Sequence, residues 1–250
     1  MEIRLPPSLL NPPSPPTDAT RHAAAAAKLA AVTLYEDDTL LVINKPSGLA
    51  VQGGSGLKDH VDAWLDAWNQ HHRTGEAGLR LVHRLDKDTS GVLLLAKGAN
   101  NAAMLTGLFR DNQVQKTYWA LVEGIPKKNK GVIEAALRKA ALRDGEKMVV
   151  DEENGLPAQT HFECRASANG QSWLILTPKQ GRTHQLRVHC AHLGHPITGD
   201  RKYGSTTNAR LHLHAWRLRL RHPVSGKTLT IDAPLPLHMV ATWNMLGLFT

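Results

Sequence analysis

Hydrophobic positions fall into two spacings along the chain. Residues 32–35 and 40–44 are short runs of strand length on either side of Glu36-Asp37-Asp38, which reads as a strand pair and its turn. Val61, Trp64, Leu65 and Trp68 stand at i, i+3, i+4 and i+7, which predicts a helix over 56–70 burying one stripe. A tryptophan stripe could stack on bases, but at helical spacing core packing is the better reading. Residues 100–111 repeat the helical spacing, with Met104, Leu105, Leu108 and Phe109 inward, and residues 115–122 alternate like a strand. Further strands are expected at 132–137, 147–150, 158–165 and 173–177. A helix is expected at 183–193 with Thr183 near its N-cap, and a hairpin joins 211–221 to 228–231 around Pro223 to Gly226. A closing helix covers 237–248. Strands and helices do not alternate regularly and no repeat occurs. The expected class is therefore α+β, with a mixed, largely antiparallel sheet flanked by helices.

One stretch stands out by its chemistry. Val92 to Ala96 has the make-up of a buried strand, and Val82 can end another. The loop between them, residues 83–91, holds two carboxylates (Asp86, Asp88), two cations (Arg84, Lys87), the His83 imidazole and the Thr89 and Ser90 hydroxyls. Polar groups tethered to core strands need partners or cost free energy. A turn braced by salt bridges meets that need, and so does a functional site.

The order of these residues separates the two. His83-Arg84-Leu85-Asp86, then Lys87-Asp88-Thr89-Ser90-Gly91 and an apolar strand, resembles the catalytic motif of the RluA family of pseudouridine synthases. Lys45-Pro46-Ser47-Gly48-Leu49 resembles the family's first motif, and Gln115-Lys116-Thr117-Tyr118 its Lys-x-Tyr strand. Gly181-Arg182-Thr183-His184-Gln185-Leu186-Arg187-Val188-His189 resembles its third motif, and Gly199-Asp200 to Tyr203-Gly204 the turn that follows. These blocks come in family order over roughly residues 32–235. The resemblance implies the pseudouridine synthase fold, with the sheet, helices and loops around a central RNA-binding cleft. It also implies an isomerase that needs no cofactor and no metal.

Isomerising uridine requires the base to leave its stack, the N-glycosidic bond to break, and carbon 5 to join the same sugar carbon. A carboxylate can attack that carbon or stabilise positive charge there. By resemblance Asp86 is the carboxylate, with Asp88 as its neighbour and rival. Arg182 is expected to pair with Asp86 and keep it ionised, although a phosphate contact is its other reading. Tyr118 offers a face to uracil and a hydroxyl near carbon 5, and Leu186 a wall of the uracil pocket. Lys45, His83 and Arg84 are placed on the RNA-contacting side, with Arg84 able to fill the space the flipped base vacates. Bracing of the loop is the alternative for all three. Two positions depart from the family pattern: Gln180 stands where Thr is usual, and Gln52 where His is common.

Composition narrows the partner. The chain carries a formal net charge of +8. From Arg182 to Lys227 nine lysines and arginines meet one acid, Asp200, so this segment accounts for the excess. Such concentration suits a polyanion. Arg187, Arg217, Arg219 and Arg221 are accordingly expected to contact RNA, the last three on one face of a strand. A rRNA or tRNA stem-loop is the expected partner, with no obligate protein partner, and the protein is expected to be a monomer. No apolar run reaches the roughly 18 residues that span a bilayer. The start has no apolar signal region, and Cys164 and Cys190 lack metal spacing, so a cytoplasmic setting is expected. Residues 1–30 read as a disordered or weakly ordered tail, since six of 14 prolines fall between Pro6 and Pro16, with a short helix at 23–31. Residues 31–250 then form the catalytic domain, with no room before it for an S4 RNA-binding domain. Two other classes compete. One is a non-catalytic RNA-binding protein on the same scaffold; intact Asp86, Tyr118 and Arg182 argue against it. The other is a metal-dependent hydrolase built on His184, His189, His192 and His195, against which stands the lack of a cysteine pair or HExxH motif.

Overall fold

The centre of the fold is set by the two most apolar strands, each buried on both faces. A computed structural model describes residues 18–54, 59–142 and 145–248. In chain order the first elements are α1 (Asp18–Ala31), β1 (Thr33–Glu36), β2 (Leu40–Lys45), α2 (Val61–His72), β3 (Leu79–Leu81), β4 (Ser90–Lys97) and α3 (Ala99–Arg110). There follow β5 (Gln115–Glu123), β6 (Lys130–Glu134), β7 (Leu137–Leu142), β8 (Gly145–Val150), β9 (Gln159–Ala168) and β10 (Gln171–Pro178). The last are α4 (Gln185–His192), β11 (Leu213–Arg221), β12 (Thr228–Asp232) and α5 (Leu237–Met245). Ten strands form one sheet in the order β1-β2-β4-β11-β5-β10-β9-β6, with β3 on β4 and β12 on β11; β7 and β8 pair separately. The α+β class and the mixed, largely antiparallel sheet expected from the sequence are both present.

Strand periodicity sorts the core. On β2, Leu41 and Ile43 join Leu93 and Leu95 of β4 under α2, where Val61, Trp64 and Leu65 are buried and Trp68 packs at the edge. Leu40 and Val42 face the other way with Val92, Leu94 and Leu105 of α3. The tryptophan stripe is therefore core. A third cluster packs Leu186 and Cys190 of α4 on Ala120, Val122, Leu174 and Leu176. Full burial of a side chain of this size contributes about 1.5–3 kcal/mol.

The two halves of the sheet meet at one parallel contact. His214 and Ala215 of β11 register with Ser90 and Gly91 of β4, whereas the other pairings are antiparallel. Gly91 has φ +112°, and a Cβ there would lie 2.2 Å from the Ala215 carbonyl oxygen. Only glycine fits, and the loop carrying Asp86 runs straight into this joint.

Several boundaries differ from expectation. The short helix expected at 23–31 starts earlier, at Asp18, and is no tail: α1 packs on α2 and places Leu29 in the core, fully buried. Residues 1–17 lie outside those described. The helix expected from 56 starts at Val61, capped by His60, whose Nδ1 accepts from the Ala63 N–H at 3.0 Å. The expected strand 132–137 is two strands, because the chain leaves the large sheet at Ala135-Ala136 and sends Leu137 to a separate cluster with Val188 and Tyr203. Met104, expected inward, is 42% exposed; Leu105 takes the inner face of α3. Thr183 does not cap α4. His184 is the N-cap, in the left-handed region at φ 52°, and delays the helix to Gln185.

Candidate active site

Asp86 sits on the loop from β3 to β4, and three separate devices pin that loop. The Lys45 ammonium, fully buried, donates to the carbonyls of Leu49 (2.7 Å), Pro46 (3.0 Å) and Lys87 (3.0 Å). The Ser47 hydroxyl donates to the Asp88 carbonyl at 2.8 Å, and the Gly48 N–H to that of Lys87 at 3.0 Å. His83 Nε2 accepts the Leu94 N–H at 2.8 Å while its ring stacks on Phe109. Burial lowers the Lys45 pKa to about 7, with Asp88 and Asp86 opposing, and lowers that of His83 to about 3, aided by Lys116. Lys45 and His83 were expected to meet RNA. The structure engages the Lys45 ammonium and His83 Nε2 with backbone groups, the bracing alternative for each.

The cation beside Asp86 is Arg187. Its Nη1 lies 3.6 Å from Asp86 Oδ2, and His184 Nε2 approaches the same oxygen at 3.9 Å. Arg187 is itself held by a two-pronged bond to the buried Asp200, Nε to Oδ2 at 2.7 Å and Nη2 to Oδ1 at 2.8 Å, with its guanidinium over the Tyr203 ring. Burial of Arg187 favours its neutral form, but Asp200 and Asp86 outweigh this and raise its pKa. Arg182, expected in this role, is exposed, and its Nε reaches the Pro157 carbonyl at 3.4 Å. It lies before α4 instead of on it, so it lines the rim of the pocket. Arg187, expected on RNA, is largely buried.

Around Asp86 opens a cleft of about 820 Å³. Arg84, Lys87, Arg187, Arg201, Lys202 and Arg210 line it, against Asp86, Asp88 and Asp200. A smaller recess adjoins it, with Tyr118, Leu186, Leu85 and Leu213 as its apolar walls and Asp86 at its mouth. Burial, and secondarily the Asp86 charge, push the Tyr118 phenol above its usual range, so its proton stays on. Tyr118 and Leu186 thus both line the recess that Asp86 joins, and Arg84 stands exposed where cleft and recess meet. Arg217, Arg219 and Arg221 line neither: Arg217 is clamped to Asp232 and stacked on Trp216, and Arg221 donates to the Gly226 carbonyl.

Residues not expected beside Asp86 complete the arrangement. His184, Asp200 and Tyr203 lie within the recognised motifs, but nothing in their spacing shows that they converge. Gly199 places Asp200: at φ +82° with the Arg210 carbonyl oxygen 2.2 Å from a would-be Cβ, it admits no side chain. The histidines grouped in sequence disperse in space. His189 bonds Thr160 and the Ala135 carbonyl, and His195 the Glu123 carbonyl. Among the described residues no three His, Cys, Asp or Glu side chains gather closely enough to hold a metal ion.

The family of RNA pseudouridylate synthases matches residues 39–192, which contain Asp86, Tyr118 and Arg187. The chain belongs to this family. Two curated relatives are ribosomal large subunit pseudouridine synthases C, from Yersinia pestis and Escherichia coli strain K12. The first is 44% identical over 218 residues, 84% of this chain and 67% of the relative. The second is 41% identical over 225 residues, covering 86% and 69%. The solved structure of human RNA pseudouridylate synthase domain containing 4 superposes with TM-score 0.76 at 30% identity, covering 91% of this chain and 97% of that one. The chain is thus an RNA pseudouridine synthase, an isomerase.

Proposed function

We propose that the protein converts a uridine of large-subunit ribosomal RNA to pseudouridine with Asp86 as nucleophile. The observation that carries this is the placement of Asp86 between a cation-lined cleft and an apolar recess. The cleft suits the RNA backbone and the recess a flipped base. Asp86 attacks the sugar carbon as the bond to uracil N1 breaks, the base turns in the recess, carbon 5 bonds the sugar carbon and expels the Asp86 carboxylate, and the carbon 5 proton is lost while N1 takes one up. Arg187 sets a positive charge 3.6 Å from Asp86 Oδ2. Tyr118, protonated, serves by its face and Leu186 closes the other wall. Arg84 enters the stack as the base leaves. The ribosomal target follows the relatives named for the large subunit. We place the protein in the cytoplasm as a monomer whose catalytic domain needs neither cofactor nor protein partner; among the described residues no helix is long and apolar enough to cross a membrane.

Asp86→Asn tests the assignment. The amide matches the carboxylate in size but is no anionic nucleophile. Pseudouridine formation should fall by ~10³-fold or more, about 4 kcal/mol of barrier, while RNA affinity stays within a few-fold. Asp88→Asn is the control in the same loop. Turnover by Asp86→Asn near the wild-type rate would remove Asp86 from the chemistry, and equal losses in both variants would reduce the loop to a structural brace.

A further inference from the structure

His184 is the second group on Asp86, and its geometry is unusual in three ways. It is a non-glycine residue held at φ 52°, ψ 18°. Left-handed strain of this kind persists where surrounding contacts over-determine it, and it gathers at functional sites. Its Nδ1 lies 2.7 Å from the Tyr203 hydroxyl, and its Nε2 points at Asp86 Oδ2 from 3.9 Å.

The hydrogen bonds set the tautomer. The Met148 N–H can only donate, and it donates to the Tyr203 oxygen at 3.2 Å. The Tyr203 proton is left free to go to His184 Nδ1. The ring hydrogen of a neutral His184 then sits on Nε2, facing Asp86. Burial favours that neutral form, and Arg187 and Lys202 add to it against Asp86 and Asp200.

We propose that Tyr203 and His184 form a positioning relay from the β7–β8 hairpin to Asp86, fixing its Oδ2 and presenting Oδ1 to the sugar carbon. Arg187 and His184 both approach Oδ2, so Oδ1 is the oxygen left for attack. The 3.9 Å gap exceeds a hydrogen bond and closes when substrate fills the recess, as catalytic contacts often do. Tyr203 also lies under the Arg187 guanidinium, so one ring sets both partners of Asp86. His184 and Tyr203 are positioning residues, and the relay rests on the reading of Asp86 as the nucleophile.

The test uses total RNA from cells lacking this gene, which carries the unmodified target whatever its position. His184→Gly relieves the left-handed strain and opens space for an added imidazole. Its single-turnover rate should fall 10- to 100-fold with RNA affinity within threefold, and millimolar imidazole should restore part of the rate without changing the melting temperature. Tyr203→Phe keeps the ring under Arg187 and loses only the hydroxyl; its rate should fall about tenfold. The double variant should be no slower than the slower single, because both act through one chain of contacts. Wild-type rates in both single variants would overturn the relay, as would losses explained by unfolding and unmoved by imidazole. If wild-type protein forms no pseudouridine, or Asp86→Asn retains its rate, the assignment of Asp86 fails first and the relay with it.

Discussion

At the scale of single residues, the cation beside Asp86 is Arg187, five positions beyond the Arg182 that was expected there. Arg182 was expected beside Asp86 from its place in the motif that resembles the family's third. His184 interrupts the backbone, α4 begins at Gln185, and Arg187 takes the place. A helical phase cannot be read from sequence when the residue that sets it adopts a left-handed conformation. Asp86 and Tyr118 were named from motif order alone, and the fold brings both, with Leu186, to one recess. The two arginines should also differ in stability. Arg187→Met leaves Asp200 buried without its partner and should cost about 3–5 kcal/mol in urea unfolding. Arg182→Ala removes an exposed side chain and should stay within about 0.5 kcal/mol. Equal effects would contradict the buried pairing.

At the scale of elements, the loop that carries Asp86 depends on a lysine from β2. Lys45 binds three carbonyls, an arrangement no pattern of apolar spacing announces, because a buried lysine inside a strand looks like a surface one in sequence. Its pKa falls from 10.5 in the unfolded chain to about 7 in the fold. Between those values the unfolded state binds more protons than the folded state. The Lys45 contribution to stability therefore rises with pH from about 7 to 10.5 and is flat below 7. Relative to Lys45→Met, wild-type unfolding free energy should climb by at most about 1.4 kcal/mol per pH unit across that window. A difference that is constant from pH 6 to 10 would place the ammonium in water. A short helix was expected at 23–31, but the earlier start of α1 and its packing on α2 were hidden for another reason. Its alanine-rich sequence leaves Leu29 and Ala26 to bury, too few for an apolar stripe, and composition pointed to a tail. Leu29→Ala should nonetheless cost about 2–5 kcal/mol, read from the urea midpoint, since it opens a cavity between α1 and α2. An unchanged midpoint would return α1 to the status of an appendage.

At the scale of the molecule, the basic segment seen in the sequence divides between two surfaces. Arg187, Arg201, Lys202 and Arg210 come to the cleft, joined by Arg84 and Lys87 from the Asp86 loop. Arg217, Arg219 and Arg221 lie on β11 outside it, and two of them are already committed to Asp232 and Gly226. Net charge was legible in the chain; its partition was not, because it depends on how the turn after Gly199 folds back toward the loop before Gly91. Salt dependence of RNA binding separates the two surfaces. Each phosphate neutralised contributes roughly 0.7 to 0.9 to the slope of log K against log salt. Replacing Lys87, Arg201 and Arg210 together by glutamine should therefore flatten the slope by roughly 2 to 3 if each meets a phosphate. Replacing Arg217, Arg219 and Arg221 should change it by less than about 1, because Arg217 is neutralised within the protein and none faces the cleft. Both sets remove three charges, so a general effect of net charge would flatten the two slopes alike. The opposite ranking would show that RNA crosses the β11 face and that the cleft admits only the flipped nucleotide.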